Sequence, residues 1–289
     1  MANANREEWS VEIRPAHGWL NINLKELWRY RDLIYLLARR NFVSLYKQTI
    51  LGPAWAIIQP LLTTVMFTVV FGKIANISTD GMPQFLFYMA GNVPWTFFAR
   101  CLEKTSETFL ANERIFGKVY FPRLCAPIAT VLFTMISFLI QFALFLMFLA
   151  FYALQPNPTV HLNWGLAALT PVVLVEMGLL GLGMGVMVSA LTVRYRDLAL
   201  LVSFGVQLWM YASPVAYPAS LMMQNFPKLA GIYMLNPMAP IIEFFRAAYL
   251  GTDTFSLGYL LLSMAVTAFI LFAGAVLFNR AQKTFMDNI

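Results

Sequence analysis

The sequence predicts an all-α integral membrane protein with six transmembrane helices. An amphipathic interfacial helix precedes them, and short re-entrant helices lie between the fifth and sixth. Composition, apolar run length and the placement of basic residues carry that prediction. Of 289 residues, 60% are hydrophobic and only 12% are charged, about half the charge of a soluble domain. A soluble protein of this size needs a charged surface, and this chain cannot supply one.

The elements follow in order. Residues 1–23 are polar, with Glu7, Glu8, Glu12 and Arg14 and no apolar stretch that would serve as a secretory leader. Between Leu24 and Tyr46, the residues Leu24, Leu27, Trp28, Ile34, Leu37, Val43 and Tyr46 alternate with Lys25, Arg29, Arg31, Arg39 and Arg40. At helical spacing this pattern forms a helix in the membrane interface, with its basic side chains among headgroups; the alternative is a helix packed on its own protein. Gly52-Pro53 ends the N-terminal segment 1–53, and the membrane domain occupies 54–289.

Ala54 to Phe71 runs without a charge, close to the roughly 20 residues that cross a hydrocarbon core. The further spans are expected at about Pro83–Arg100, broken by Gly91 and Pro94; Leu124–Leu154; Leu166–Leu191; Leu198–Ala216; and Leu257–Phe278. Tyr217–Ser256 is apolar but cut by Pro218, Pro227, Pro237 and Pro240. Lipid would not tolerate so many breaks in one span, so this segment is expected to dip into the outer leaflet without crossing.

Charge tests the topology separately. Seventeen of the 20 Lys and Arg fall in residues 1–53, 100–123, 192–197 and 279–289, leaving Lys73, Lys228 and Arg246 for the other side. With an even number of crossings, this bias puts both termini in the cytoplasm. It also reads the net charge of +6 as topology rather than as a nucleic-acid patch.

Little in the chain supports catalysis. No Gly-rich phosphate loop, His-Glu-x-x-His or Gly-x-Ser-x-Gly motif is present, and His17 and His161 lie far apart. Cys101 and Cys125 flank the expected cytoplasmic segment and read as free thiols. Gly181 and Gly185 fit a small-xxx-small packing face. Glu176 lies within the fourth span and must face protein or water. Glu243 and Arg246 stand three apart on one helical face and can pair. Asp197 is positioned to cap the fifth span. In the cytoplasmic segment, Asn112, Glu113, Arg114, Ile115, Phe116 and Lys118 combine charge with apolar side chains expected to be exposed, a pattern suited to docking another protein.

Tyr46 to Trp55 followed by Gln59-Pro60, Lys118 to Arg123, the Arg194 to Asp197 turn, Ser213-Pro214, and Asn236-Pro237 through Arg246 together resemble the permease subunit of a type-2 ABC exporter. The resemblance runs from about Leu33 to the C-terminus and is nearest the polysaccharide exporters for O-antigen, capsule or teichoic acid. It implies a homodimer in the bacterial inner membrane with two separate ABC ATPase subunits, which would hold the ATP and Mg; this chain itself binds no cofactor and no metal. It further implies a coupling segment at about 101–123 and an outer gate at about 217–256 that includes Glu243 and Arg246.

The expected substrate is a lipid-linked (undecaprenyl-diphosphate) polysaccharide. Arg39, Arg40 and Lys47 would receive its anionic headgroup, and Tyr88, Trp95, Phe97, Phe98, Trp209 and Tyr211 would offer ring faces to the glycan. The competing readings are a type-2 ABC permease for a small lipid or drug, and a membrane scaffold of polysaccharide synthesis that transports nothing.

Overall fold

The computed structural model describes residues 24–47, 50–116, 118–119, 121–156, 160–192 and 197–287. Arg194, Tyr195 and Arg196 of the expected turn lie outside them, as do residues 1–23, Gln48, Thr49, Gly117 and Tyr120. The described residues form helices joined by turns and loops, with no strand among them.

Two helices precede the first span: α1 (Leu24–Arg29) and α2 (Arg31–Tyr46), separated at Tyr30. α3 (Trp55–Phe67) continues through a π-helical stretch, Thr68–Ile74. α4 (Gln84–Ser106) and α5 (Thr108–Phe116) follow, then α6 (Cys125–Ala153), the short α7 (Trp164–Ala167) and α8 (Thr170–Thr192). The C-terminal part comprises α9 (Leu198–Tyr211), α10 (Ala219–Asn225), α11 (Ala230–Met234), α12 (Met238–Tyr249) and α13 (Leu257–Asp287).

Four stretches are long and apolar enough to cross a membrane: Trp55–Ile74, Cys125–Ala153, Thr170–Thr192 and Leu257–Ala281. The other two expected spans differ in instructive ways. α4 is long enough, at about 35 Å, but more polar, and it is continuous rather than broken: Pro94 sits inside it. Most of α4 is buried among its neighbours, which hold the helix together where Pro94 removes a hydrogen bond. α9 stops at Tyr211, about 21 Å from its start. The residues that would have extended it, Ser213 to Ala216, turn into the protein interior. Asp197 does precede α9, but its side chain caps nothing.

α8 stands at the centre, with α4 on one side and α13 on another. In lipid no hydrophobic force drives helix against helix, so association depends on close van der Waals approach. Glycine supplies it. A Cβ on Gly181 would meet the Cys101 side chain and the Phe98 carbonyl of α4, and one on Gly185 would fall on Thr105 Oγ1. Gly183 faces α13, where a Cβ would lie 2.8 Å from Leu271 Cα. Thr105 Oγ1 lies 2.5 Å from the Cys101 carbonyl and 3.3 Å from that of Gly181, so polar contact accompanies the packing.

Glu176 is buried on α8, within 2.6 Å of Ser263 Oγ of α13, and the same hydroxyl lies 2.9 Å from the Pro237 carbonyl at the head of α12. This intramembrane acid therefore serves as an interhelical contact, the arrangement that hydrocarbon demands of a polar group.

A bulky side chain between α4 and α8 should force them apart. Replacing Gly185 with Leu is expected to cost about 2 kcal/mol or more, in line with overpacking of a filled interior. Gly231 has open space around it, and Gly231→Ala should leave stability unchanged. Melting temperatures of the purified variants in detergent check both outcomes.

Candidate functional site

At one end of the bundle, α2 packs on α6 through Ile34, Leu37 and Ala38, which join a cluster with Phe109, Phe116 and Phe278. The amphipathic pattern thus divides. One stripe seals against the protein, while Trp28 and Tyr35 remain 71% and 70% exposed. The three basic residues do not act as one patch. Arg40 Nη2 donates to Asn112 Oδ1 of α5 at 3.3 Å, across a polar groove that Lys104 and Glu107 also line. Arg39 lines a separate, apolar groove on the other side of α2. Lys47 is exposed just beyond the helix end. Lys104 and Glu107 form an exposed pair at 3.5 Å. Burial raises the neighbouring Glu103 carboxyl above its usual range, opposed by Lys104.

The proposed docking residues are rearranged relative to expectation. Phe116 is only 3% exposed. Its ring contacts Phe109 and Phe121, and the Arg123 guanidinium lies 5.5 Å from its centroid. An aromatic residue beside a polar loop read as surface, but the fold turns it inward to close the cluster beneath α2. Burial draws the Arg123 pKa down. Ile115 is half-buried, whereas Lys118 and Val119 are exposed. Asn112 faces the Arg40 groove, and Glu113 and Arg114 lie on α5, where only their backbone is described.

Four of the six aromatics expected along a pathway are interior. Tyr88, Trp95, Phe97 and Phe98 are buried. Trp95, Phe98 and Trp209 form a T-shaped trio with centroids 5.2–6.1 Å apart, and Phe97 lies against Phe138. Rings packed edge to face in this way leave little face for an outside partner. Trp209 is half-buried and donates from Nε1 to Asn236 Oδ1 at 3.1 Å, while Tyr211 is exposed.

A second polar surface lies beside this trio. α3, α4 and α9 border a cleft of about 380 Å³ whose polar lining is Gln59, Thr63, Asn92, Thr96, Arg100, Glu103, Ser203 and Gln207, set among the apolar Pro60, Trp95, Ala99, Val206 and Met210. Arg100 donates to Gln59 Oε1 at 2.8 Å, and Asn92 Nδ2 is buried without a hydrogen-bond partner. Reading for apolar runs missed this cleft. The signal was in the spacing: Gln59/Thr63, Asn92/Thr96/Arg100 and Ser203/Gln207 each recur every four residues, one polar stripe per helix.

At the other end, every residue of α12 is buried. Arg246 Nη1 and Glu243 Oε1 pair at 2.8 Å, and both side chains are almost wholly enclosed. Arg246 also donates to the carbonyls of Tyr217 (3.3 Å) and Val215 (3.1 Å) and lies over the Phe87 ring at 3.7 Å. Thr254 bonds the other Glu243 oxygen. Nearby, Asn236 Nδ2 donates to Ser213 Oγ at 2.8 Å, bringing together the Ser213-Pro214 and Asn236-Pro237 motifs. The pair assigned to an outer gate therefore anchors α12 to α4 and to the turn after α9. Among the described residues, no three His, Cys, Asp or Glu side chains gather as metal ligands, and Cys101 and Cys125 are buried free thiols.

A helical bundle with several membrane-length apolar helices and a polar cleft between its helices is a multi-pass membrane protein. Residues 32–250 match the family described as ABC-2 type transporter, well over half of the chain, and the protein belongs to that family. It is 27% identical over 262 residues to the O-antigen export system permease protein RfbA of Klebsiella pneumoniae, covering 89% of this chain and 94% of that one. It is 25% identical over 266 residues to a protein of the same name from Myxococcus xanthus, covering 92% and 98%. The resemblance read from the sequence motifs holds at the level of the family.

Removing one partner of the buried pair should be far worse than removing both. Arg246→Met leaves Glu243 enclosed without its cation and is expected to cost about 3–5 kcal/mol. Glu243→Gln combined with Arg246→Met should recover much of that loss. The yield of folded protein and its melting temperature across the three chains test the coupling.

Proposed function

We propose that this chain is the permease subunit of an ATP-driven exporter that carries a lipid-linked polysaccharide across a bacterial inner membrane. The polar cleft between α3, α4 and α9 carries the reading. Amides and hydroxyls set one helical turn apart along three membrane helices are costly in hydrocarbon and well suited to the hydroxyl-rich surface of a sugar chain. The names of the relatives, which refer to O-antigen export, favour a polysaccharide over a small lipid or drug.

In this account α4 and α9 complete six crossings with both termini cytoplasmic, and α10–α12 form a re-entrant outer segment. Two copies pair along the polar cleft and operate with two separate ABC ATPase subunits that bind ATP and Mg. Asn112, Lys118 and the exposed Val119 on and after α5 provide the surface that meets the ATPase. An undecaprenyl-diphosphate headgroup is drawn to the membrane surface by Arg40 and Lys47, while Arg39 faces a separate groove; each basic residue contributes about 1 kcal/mol toward an anionic group there. Arg40 and Asn112 stand where that headgroup and the ATPase-facing helix meet. Tyr211 and the accessible part of Trp209 supply ring surface to the glycan, and the buried Trp95 forms part of the cleft wall beside them.

Gln59→Leu with Gln207→Leu should lower polysaccharide export roughly tenfold, the effect of losing two hydrogen-bonding side chains at about 0.5–1.5 kcal/mol each. Co-purification with the ATPase should be unaffected, and polymer-bearing glycolipid should accumulate inside the cells. Unchanged export would remove the cleft from the pathway. A chain that brings down no ATPase subunit would overturn the exporter reading.

A further inference from the structure

The second groove, on the outer side of α2, fits neither the headgroup site nor the pathway. It encloses about 860 Å³, within the roughly 300–1,000 Å³ typical of small-ligand sites. Its floor is apolar: Ile128, Leu132 and Ile136 descend α6 one turn apart, and Ile34 and Ala38 of α2 close its inner edge. Its rim is basic and aromatic. Arg31 and Arg39 lie two turns apart on α2, with Tyr35 between them and Trp28 beside Arg31. The Arg31 guanidinium sits 5.6 Å from the Trp28 centroid, and its contact with Asp32 is long, at 3.9 Å, and exposed at both ends. No carboxylate among the described residues forms an ion pair with Arg39.

A slot that is apolar along a membrane helix and bears two arginines at its mouth matches a single chemistry: a long hydrocarbon chain below an anionic phosphate. Trp and Tyr at the mouth belong at the boundary of headgroups and hydrocarbon. We infer that this groove is a binding site for one anionic diacyl phospholipid of the bilayer. An acyl chain lies along Ile128, Leu132 and Ile136, and the phosphate is held between Arg31 and Arg39. The lipid is separate from whatever is transported and cements α2 to α6 on the side opposite the Arg40 groove. Charge complementarity selects the occupant, since a zwitterionic lipid brings its own cation to a mouth that already holds two.

The test uses the full chain in lipid nanodiscs and the fluorescence of Trp28. Phosphatidylglycerol or phosphatidylcholine with brominated acyl chains is added in turn, and the signal of a Trp28→Phe chain is subtracted. The Trp28 component should be quenched preferentially by brominated phosphatidylglycerol. Each arginine should supply a roughly fivefold preference, the equivalent of about 1 kcal/mol. In the chain carrying Arg31→Gln and Arg39→Gln the preference should fall to near unity with the melting temperature retained, and Arg31→Lys with Arg39→Lys should keep most of it. Equal quenching by the two lipids, or an undiminished preference in the glutamine variant, overturns the site. So does the absence of any Trp28 component, which would mean that protein covers the groove. Displacement of the brominated lipid by a polyprenyl diphosphate would assign the groove to the transported molecule and likewise overturn the inference.

Discussion

Hydrocarbon offers no hydrogen bonds, so every polar group placed at membrane depth must find its partner inside the protein or line a wet surface. The arrangement of this chain follows from that restriction. Glu176 reaches a serine hydroxyl on another helix. Arg246 gathers a carboxylate, two carbonyls and a ring face. Thr63 and Thr64 of α3 and Thr68 just after it fold their hydroxyls back onto the carbonyls of Gln59, Pro60 and Thr64. Along α3, α4 and α9, amides and hydroxyls instead collect around open space at the depth of the spans.

Close packing makes the restriction workable. Gly181, Gly183 and Gly185 let α8 carry α4 on one face and α13 on another at near-backbone distance. α12 is then held inside this frame by the Arg246 and Glu243 network and by the turn where Ser213 and Asn236 meet. The segment from α10 to α12 is thus built onto the helical core rather than laid over it. A movement of α12 would disturb α4 directly, because Arg246 bonds Val215 at the point where Gly91 leaves room for both. The network couples α12 to the helix whose polar stripe lines the cleft.

Much of this was legible in the sequence, for physical reasons. Long apolar runs have one stable outcome in a bilayer, and four of the six expected spans became membrane-length helices within a few residues of their expected limits. Gly181 and Gly185 read correctly as a packing face because a missing side chain has few other uses in a span. Pro94 misled because the break it threatens depends on the neighbours, and α4 has them on nearly every side. Phe116 misled because a short charged segment does not reveal which of its faces the rest of the chain will cover. The aromatic residues drew attention as sugar-binding surfaces, yet four of them are buried in the packing of the bundle. The polar stripes were present at four-residue spacing and went unread, since a search for apolar length treats each Gln or Thr as a tolerated exception.

The central claim is that the cleft between α3, α4 and α9 is wet while the rest of the span surface faces lipid or protein. Cysteine accessibility measures this directly, because Cys101 and Cys125 are buried and contribute little background. Single cysteines at Thr63 and Gln207 should react rapidly with a membrane-impermeant, positively charged methanethiosulfonate reagent in reconstituted protein. A cysteine at Leu261, an exposed position on the apolar surface of α13, should not. Reaction at both cleft positions and protection at Leu261 is the predicted result. Cleft cysteines as unreactive as the one at Leu261 would contradict the account.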